Sequence, residues 1–127
     1  MELLSVTKSV NLSHEEILSL AVRALSAKKA RNLTAIDISK VTTVARVFLI
    51  ASGTSSTHIK ALADAVDDAL SLAGVEAFRR NGYGSARWIL LDYSEVVVHI
   101  FHEDDRAFYG LERLWQDGEF LALPDAE

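Results

Sequence analysis

The chain has 127 residues, half of them apolar and 24% charged, with a formal net charge of −5, the size and make-up of one globular domain able to bury its own core. The acidic balance disfavours sequence-specific nucleic-acid binding, for which phosphate neutralisation calls for a basic excess, and it is easier to match with a basic protein partner. With no cysteine, disulfides, thiol catalysis and cysteine-ligated zinc are excluded.

Residues 1–12 (MELLSVTKSVNL) show no clear period and read as a flexible N-terminal arm. They lack the long apolar stretch behind a basic region that marks a secretory leader. No apolar run approaches a membrane span, so a cytoplasmic protein is expected. Ser13-His14-Glu15-Glu16 has the capping-box pattern, and Ile17, Leu20, Ala21, Ala24 and Leu25 recur at helical spacing. Lys28, Lys29 and Arg31 gather at the end, where cations suit the helix dipole. The pattern predicts a helix from Ser13 to Ala30.

Thr34 to Ile38 is short and β-prone. Val44 to Ser52 (VARVFLIAS) is a stronger strand whose continuous apolar run suits burial on both faces. Gly53-Thr54-Ser55-Ser56 breaks it, and Ile59, Leu62, Ala63, Val66, Ala69, Leu70 and Ala73 then trace one face of a long helix that Gly74 stops. Val75 to Arg79 is a short strand candidate. Trp88 to Leu91 and Val96 to Phe101 form a hairpin across Asp92-Tyr93-Ser94-Glu95. Phe108, Leu111, Leu114 and Trp115 mark a short closing helix or pair of turns, and residues 119–127 read as a flexible tail after a domain spanning 13–118. The order α-β-β-α-β-β-β-α predicts a single α/β domain, with one mixed sheet of about five strands flanked by helices.

Each chemical motif has a plainer reading beside it. IASGTSSTHIKAL is strand, glycine, hydroxyl cluster and helix, an arrangement on which a phosphate could sit. It lacks the lysine of a P-loop and the further glycines of a dinucleotide fingerprint, and a turn at Gly53 with Ser55 or Ser56 capping the helix accounts for it better. Nucleotidyl transfer would need carboxylates gathered around metal ions, and a strand offering two at i and i+2 is missing. His99 in VVVHIF reads as a satisfied core histidine. These residues therefore imply no catalytic group, no metal site and no cofactor. In RWILLDYSEVVVHIF, alternation puts Trp88, Leu90 and Asp92 on one side of their strand and Ile89 and Leu91 on the other. Trp88 could be a core residue with Asp92 a turn former, or Trp88 and Tyr93 could be anchors of an interface to which Asp92 and Glu95 add charge. The pattern leaves both open.

GTSSTHIKALADAV, WILLDYSEVVVHIF and DDRAFYGLERLW, in that order, resemble the ribosomal silencing factor (RsfS, or Iojap-like) family from about Ser13 to Gly118. In the third stretch Arg106, Phe108, Tyr109, Leu111, Glu112, Leu114 and Trp115 all match in register. The chain departs where the family has Asp-Tyr before the second strand (here Arg46 and Val47), a Glu before Gly82 (here Asn81) and Gly-Asp in the hairpin turn (here Ser94-Glu95). The resemblance implies a nucleotidyltransferase-like fold lacking the catalytic carboxylates. It further implies a non-enzymatic factor that binds the large ribosomal subunit through its L-fourteen-family protein, blocks joining of the small subunit and represses translation when nutrients are scarce. The family's contact surface carries over to Trp88, Asp92 and Tyr93, with Leu90 and Glu95 beside them. A nucleotide-binding or nucleotidyl-transferring enzyme using Gly53 to Ser56, and a large-subunit assembly factor, are the alternatives. An exposed apolar face could also support a homodimer of the free protein.

Overall fold

The computed structural model describes residues 12–109 and 117–123. At its centre two strands run parallel, β2 (Val47–Gly53) and β5 (Val96–His102), paired from Val47↔Val96 to Gly53↔His102. Every residue of β2 is buried, as its unbroken apolar run implies for a strand covered on both faces. Around this pair the sheet is antiparallel. β1 (Arg31–Asp37) pairs with β2 and β4 (Trp88–Asp92) with β5. The three-residue strands β3 (Arg79–Asn81) and β6 (Glu119–Leu121) close the edges, giving the order β3-β4-β5-β2-β1-β6.

One face of the sheet carries α1 (His14–Ala27) and α2 (Ser56–Leu72). Ser13 caps α1 as its sequence predicts: its hydroxyl accepts from the Glu16 amide at 3.1 Å, and Glu16 Oε1 accepts from the Ser13 amide at 2.8 Å. Ile17, Ala21 and Leu25 of α1, and Ile59, Leu62, Val66 and Leu70 of α2, pack on Val47, Leu49, Ala51, Val98 and Ile100. The alternate residues Ile36, Phe48, Ile50, Val97 and Phe101 form a second core on the opposite face, joined by Trp88 and Leu90. α3 (Glu103–Tyr109) leaves toward that second face. Its Arg106, 8% exposed, donates from Nη1 to Ser52 Oγ and from Nη2 to Thr34 Oγ1, both at 2.9 Å.

Four sequence-based expectations change. The sheet has six strands rather than about five, because β6 forms within residues expected to be a tail and pairs with β1 through Ala35↔Leu121, Ile36↔Phe120 and Asp37↔Glu119. The third strand is Arg79–Asn81 rather than Val75 to Arg79. α1 stops at Ala27, since Lys29 turns left-handed (φ 65°) and the Ala30 amide returns to the Leu25 carbonyl at 3.0 Å. The strong strand starts at Val47 rather than Val44, which is 70% exposed. Within the closing helix, the expectations at Leu111, Leu114 and Trp115 lie outside the described residues.

Gly53 ends β2 where α2 crosses close above it. A Cβ there would lie 2.9 Å from Ile59 Cγ1 and 3.2 Å from Leu62 Cδ1, and both side chains are fully buried. Gly53→Ala should therefore overpack this corner and cost about 1–3 kcal/mol, read as a lower urea midpoint with an unchanged slope.

Candidate docking surface

β4 places its residues by simple alternation. Ile89 and Leu91 are fully buried beneath the helices, while Trp88, Leu90 and Asp92 face the other way and are half-buried. Their cross-strand neighbours on β5 are Phe101, His99 and Val97. The Trp88 indole stacks on Phe101 with ring centroids 5.0 Å apart, and its Nε1 donates to His99 Nδ1 at 3.1 Å. His99 meets Phe48 edge-on at 4.6 Å. A strand of ordinary alternation thus holds a half-buried indole through a hydrogen bond to His99 and a ring stacked on Phe101, which fixes its orientation in the folded chain.

His99 is buried as expected but not fully satisfied. Because Nδ1 accepts from Trp88, the proton belongs on Nε2, and that atom is buried without a hydrogen-bond partner among the described residues. Burial pushes the imidazole from its usual 6.5 down to about 4.

The structure separates the five expected contact residues. Trp88, Leu90 and Asp92 share the face, and Glu95 is exposed at the hairpin tip, its carboxylate 3.8 Å from His14 Nδ1. Tyr93 lies on the other side. It is 4% exposed within the helix-side core, and its hydroxyl donates to Asp67 Oδ1 on α2 at 3.0 Å. Arg80 clamps the same Asp67 carboxylate from Nε and Nη2, at 2.9 and 3.1 Å. Burial, followed by the Asp67 charge, raises the Tyr93 phenol well above its ordinary range. Its phenol ties the hairpin to α2 rather than standing beside the indole. Asp92 is also more engaged than an exposed turn charge would be. Its Oδ1 accepts from the Ser94 amide at 2.8 Å and its Oδ2 from Arg79 Nη2 at 2.9 Å. The first bond supports Ser94 at φ 76°, a left-handed position where glycine would be unstrained.

Sequence reasoning missed two neighbours. Pairing of β3 with β4 sets Arg79 opposite Asp92 and Asn81 opposite Leu90, so both side chains join this face, and both residues are exposed. Only the three-residue pairing reveals them.

The Gly53–Ser56 turn is closed by the protein's own groups. The Thr54 amide donates to His58 Nδ1 at 2.9 Å, and Ser55 Oγ caps the His58 amide at 3.1 Å. The space over Gly53 holds Ile59, His58 and Leu62. Among the described residues no three His, Asp or Glu side chains gather as a metal site, and no helix is long and apolar enough to cross a membrane.

A family model described as ribosomal silencing factor during starvation matches residues 11–127. The ribosomal silencing factor RsfS of Halalkalibacterium halodurans is 40% identical over 112 residues, covering 88% of this chain and 96% of that protein. The Bacillus subtilis protein of the same name is 37% identical over 112 residues, covering 88% and 95%. A crystal structure of a Chromobacterium violaceum protein superposes with a TM-score of 0.81 at 33% identity, covering 90% of this chain and 94% of that one.

His99 sets a pH signature. The unfolded chain takes up the proton near 6.5 and the folded chain near 4, so the associated stability is complete above pH 6.5 and is lost as pH falls toward 4. Wild type should lose about 2–3 kcal/mol between pH 7 and pH 4.5 through this group. In urea melts at the two pH values, His99→Leu should show a drop smaller by that amount.

Proposed function

Since the chain belongs to the ribosomal silencing factor family, we propose that it silences ribosomes by docking the Trp88–Leu90–Asp92 face on the large subunit, where its bulk keeps the small subunit from joining. Translation is thereby repressed under nutrient limitation. The observation that carries this reading is the half-exposed indole held by His99 and Phe101 on a sheet face that is itself only half-covered. A rigid aromatic anchor ringed by polar side chains is how a binding hot spot is built.

The partner is the subunit's L-fourteen-family protein. A basic ribosomal protein suits a chain of net charge −5 whose docking face ends in Glu95, exposed at the hairpin tip. The reading is of a binding factor that needs no catalytic group, which is consistent with a Gly53–Ser56 turn filled by its own helix.

Substitutions should spare the Asp92 carboxylate, which supports the turn, and Trp88, whose truncation would leave a hole beside Phe101. Leu90→Lys and Glu95→Lys place positive charge on the face without removing either support. Each should keep the circular dichroism of wild type and weaken co-sedimentation with purified large subunits at least tenfold, about 1.4 kcal/mol. Wild-type binding by both folded variants would remove this face from the contact.

A further inference from the structure

The chain is acidic overall, yet three of its cations converge. Lys28 and Lys29 follow the last turn of α1 and Arg31 opens β1. With Thr54 and His58 they line one surface cavity of about 360 Å³. His58 holds its wall rigid, because Nδ1 accepts from the Thr54 amide at 2.9 Å and Nε2 donates to the Lys28 carbonyl at 2.8 Å. The cations therefore stand on a fixed rim. Lys28 and Lys29 are exposed and make no ion pair among the described residues, whereas Arg31 lies 3.5 Å from Glu103. The start of α2 is already capped by Ser55, so the distinguishing feature is the cations and not the helix end.

This rim shares an edge of the sheet with the docking face. One row runs across the strands as Arg31↔Ser52↔Phe101↔Trp88. Three strand spacings separate its ends, roughly 14 Å; the lysines stand on the helix side of this row and Trp88 on the other, so a partner that wraps this end of the sheet meets both.

We propose that Lys28, Lys29 and Arg31 grip the phosphate backbone of ribosomal RNA next to the protein contact made by Trp88 and Leu90. The inference rests on the ribosome-binding reading and adds a second partner class to it. Unmatched lysine ammoniums act as point charges that suit phosphates without fixed geometry. Contacts of this kind position a protein on nucleic acid without reading sequence, so a local rim can serve a chain whose net charge is negative.

The test uses the full-length Lys28→Gln/Lys29→Asn protein. Asn tolerates the left-handed backbone at position 29, and neither change adds an anion at a helix C-terminus. Circular dichroism and thermal melting confirm the fold. Affinity for purified large subunits is measured across a series of salt concentrations, alongside affinity for the isolated L-fourteen-family protein. The expected result is weaker subunit binding, a log–log salt slope shallower by about 1.4–1.8, and unchanged affinity for the isolated protein. Three results would overturn the proposal. An unchanged slope and affinity would show that the rim faces solvent. An equal loss on the isolated protein would show that it meets an acidic protein segment. Failure of wild type itself to bind subunits would remove the ribosome reading and this contact together, and that control separates the two failures.

Discussion

The parallel pairing of β2 with β5 governs the rest of the molecule. Two adjacent parallel strands cannot be joined by a tight turn, so the chain between them must cross over. Here it supplies α2, β3 and β4 before β5 enters. α2 covers one face of the pair while Arg106 on α3 reaches Ser52 on the other. Both strands are thereby buried from both sides over nearly their whole length. β4 is then the last strand with a full-length neighbour, because β3 beyond it has only three residues. Its helix-side residues complete the core and its other residues are left half-covered.

That half-coverage leaves an indole both ordered and reachable. A fully exposed indole would be disordered and a fully buried one would be unavailable. Trp88 stacks on a buried Phe101 and donates to a buried His99, so its conformational entropy is already lost in the folded chain. The cost falls on His99, whose Nε2 is buried without a partner among the described residues. A buried unpaired donor typically costs about 1–3 kcal/mol. The opposite side of the hairpin is secured separately, through Tyr93 and Arg80 on Asp67. The two aromatic residues of one short motif thus perform different jobs, one facing outward and one holding the hairpin to α2.

Much of this was legible in the sequence because local pattern and tertiary role agree. The Ser13–Glu16 box, the apolar face of α2 and the alternation through Trp88, Leu90 and Asp92 are set by near neighbours, and each appears where its pattern places it. β3 and β6 were not legible, since three-residue edge strands are defined by their partners rather than by any period of their own. Tyr93 follows the alternation onto the side of Ile89 and Leu91, where its phenol meets Asp67; the family resemblance, and not the strand pattern, sets it beside Trp88. Lys28 and Lys29 looked like ordinary helix-end cations. Their meeting with His58, thirty residues on from Lys28, is a tertiary fact that no local window contains.

The central claim is that this domain occupies a surface the large subunit needs for joining. It is tested most directly by a joining assay with purified subunits on sucrose gradients, in which the protein is bound to large subunits before small subunits are added. The account predicts a dose-dependent fall in joined ribosomes, with the protein migrating on free large subunits, and recovery of joining when Leu90→Lys replaces wild type. Undiminished joining while wild type remains bound to the large subunit would contradict it.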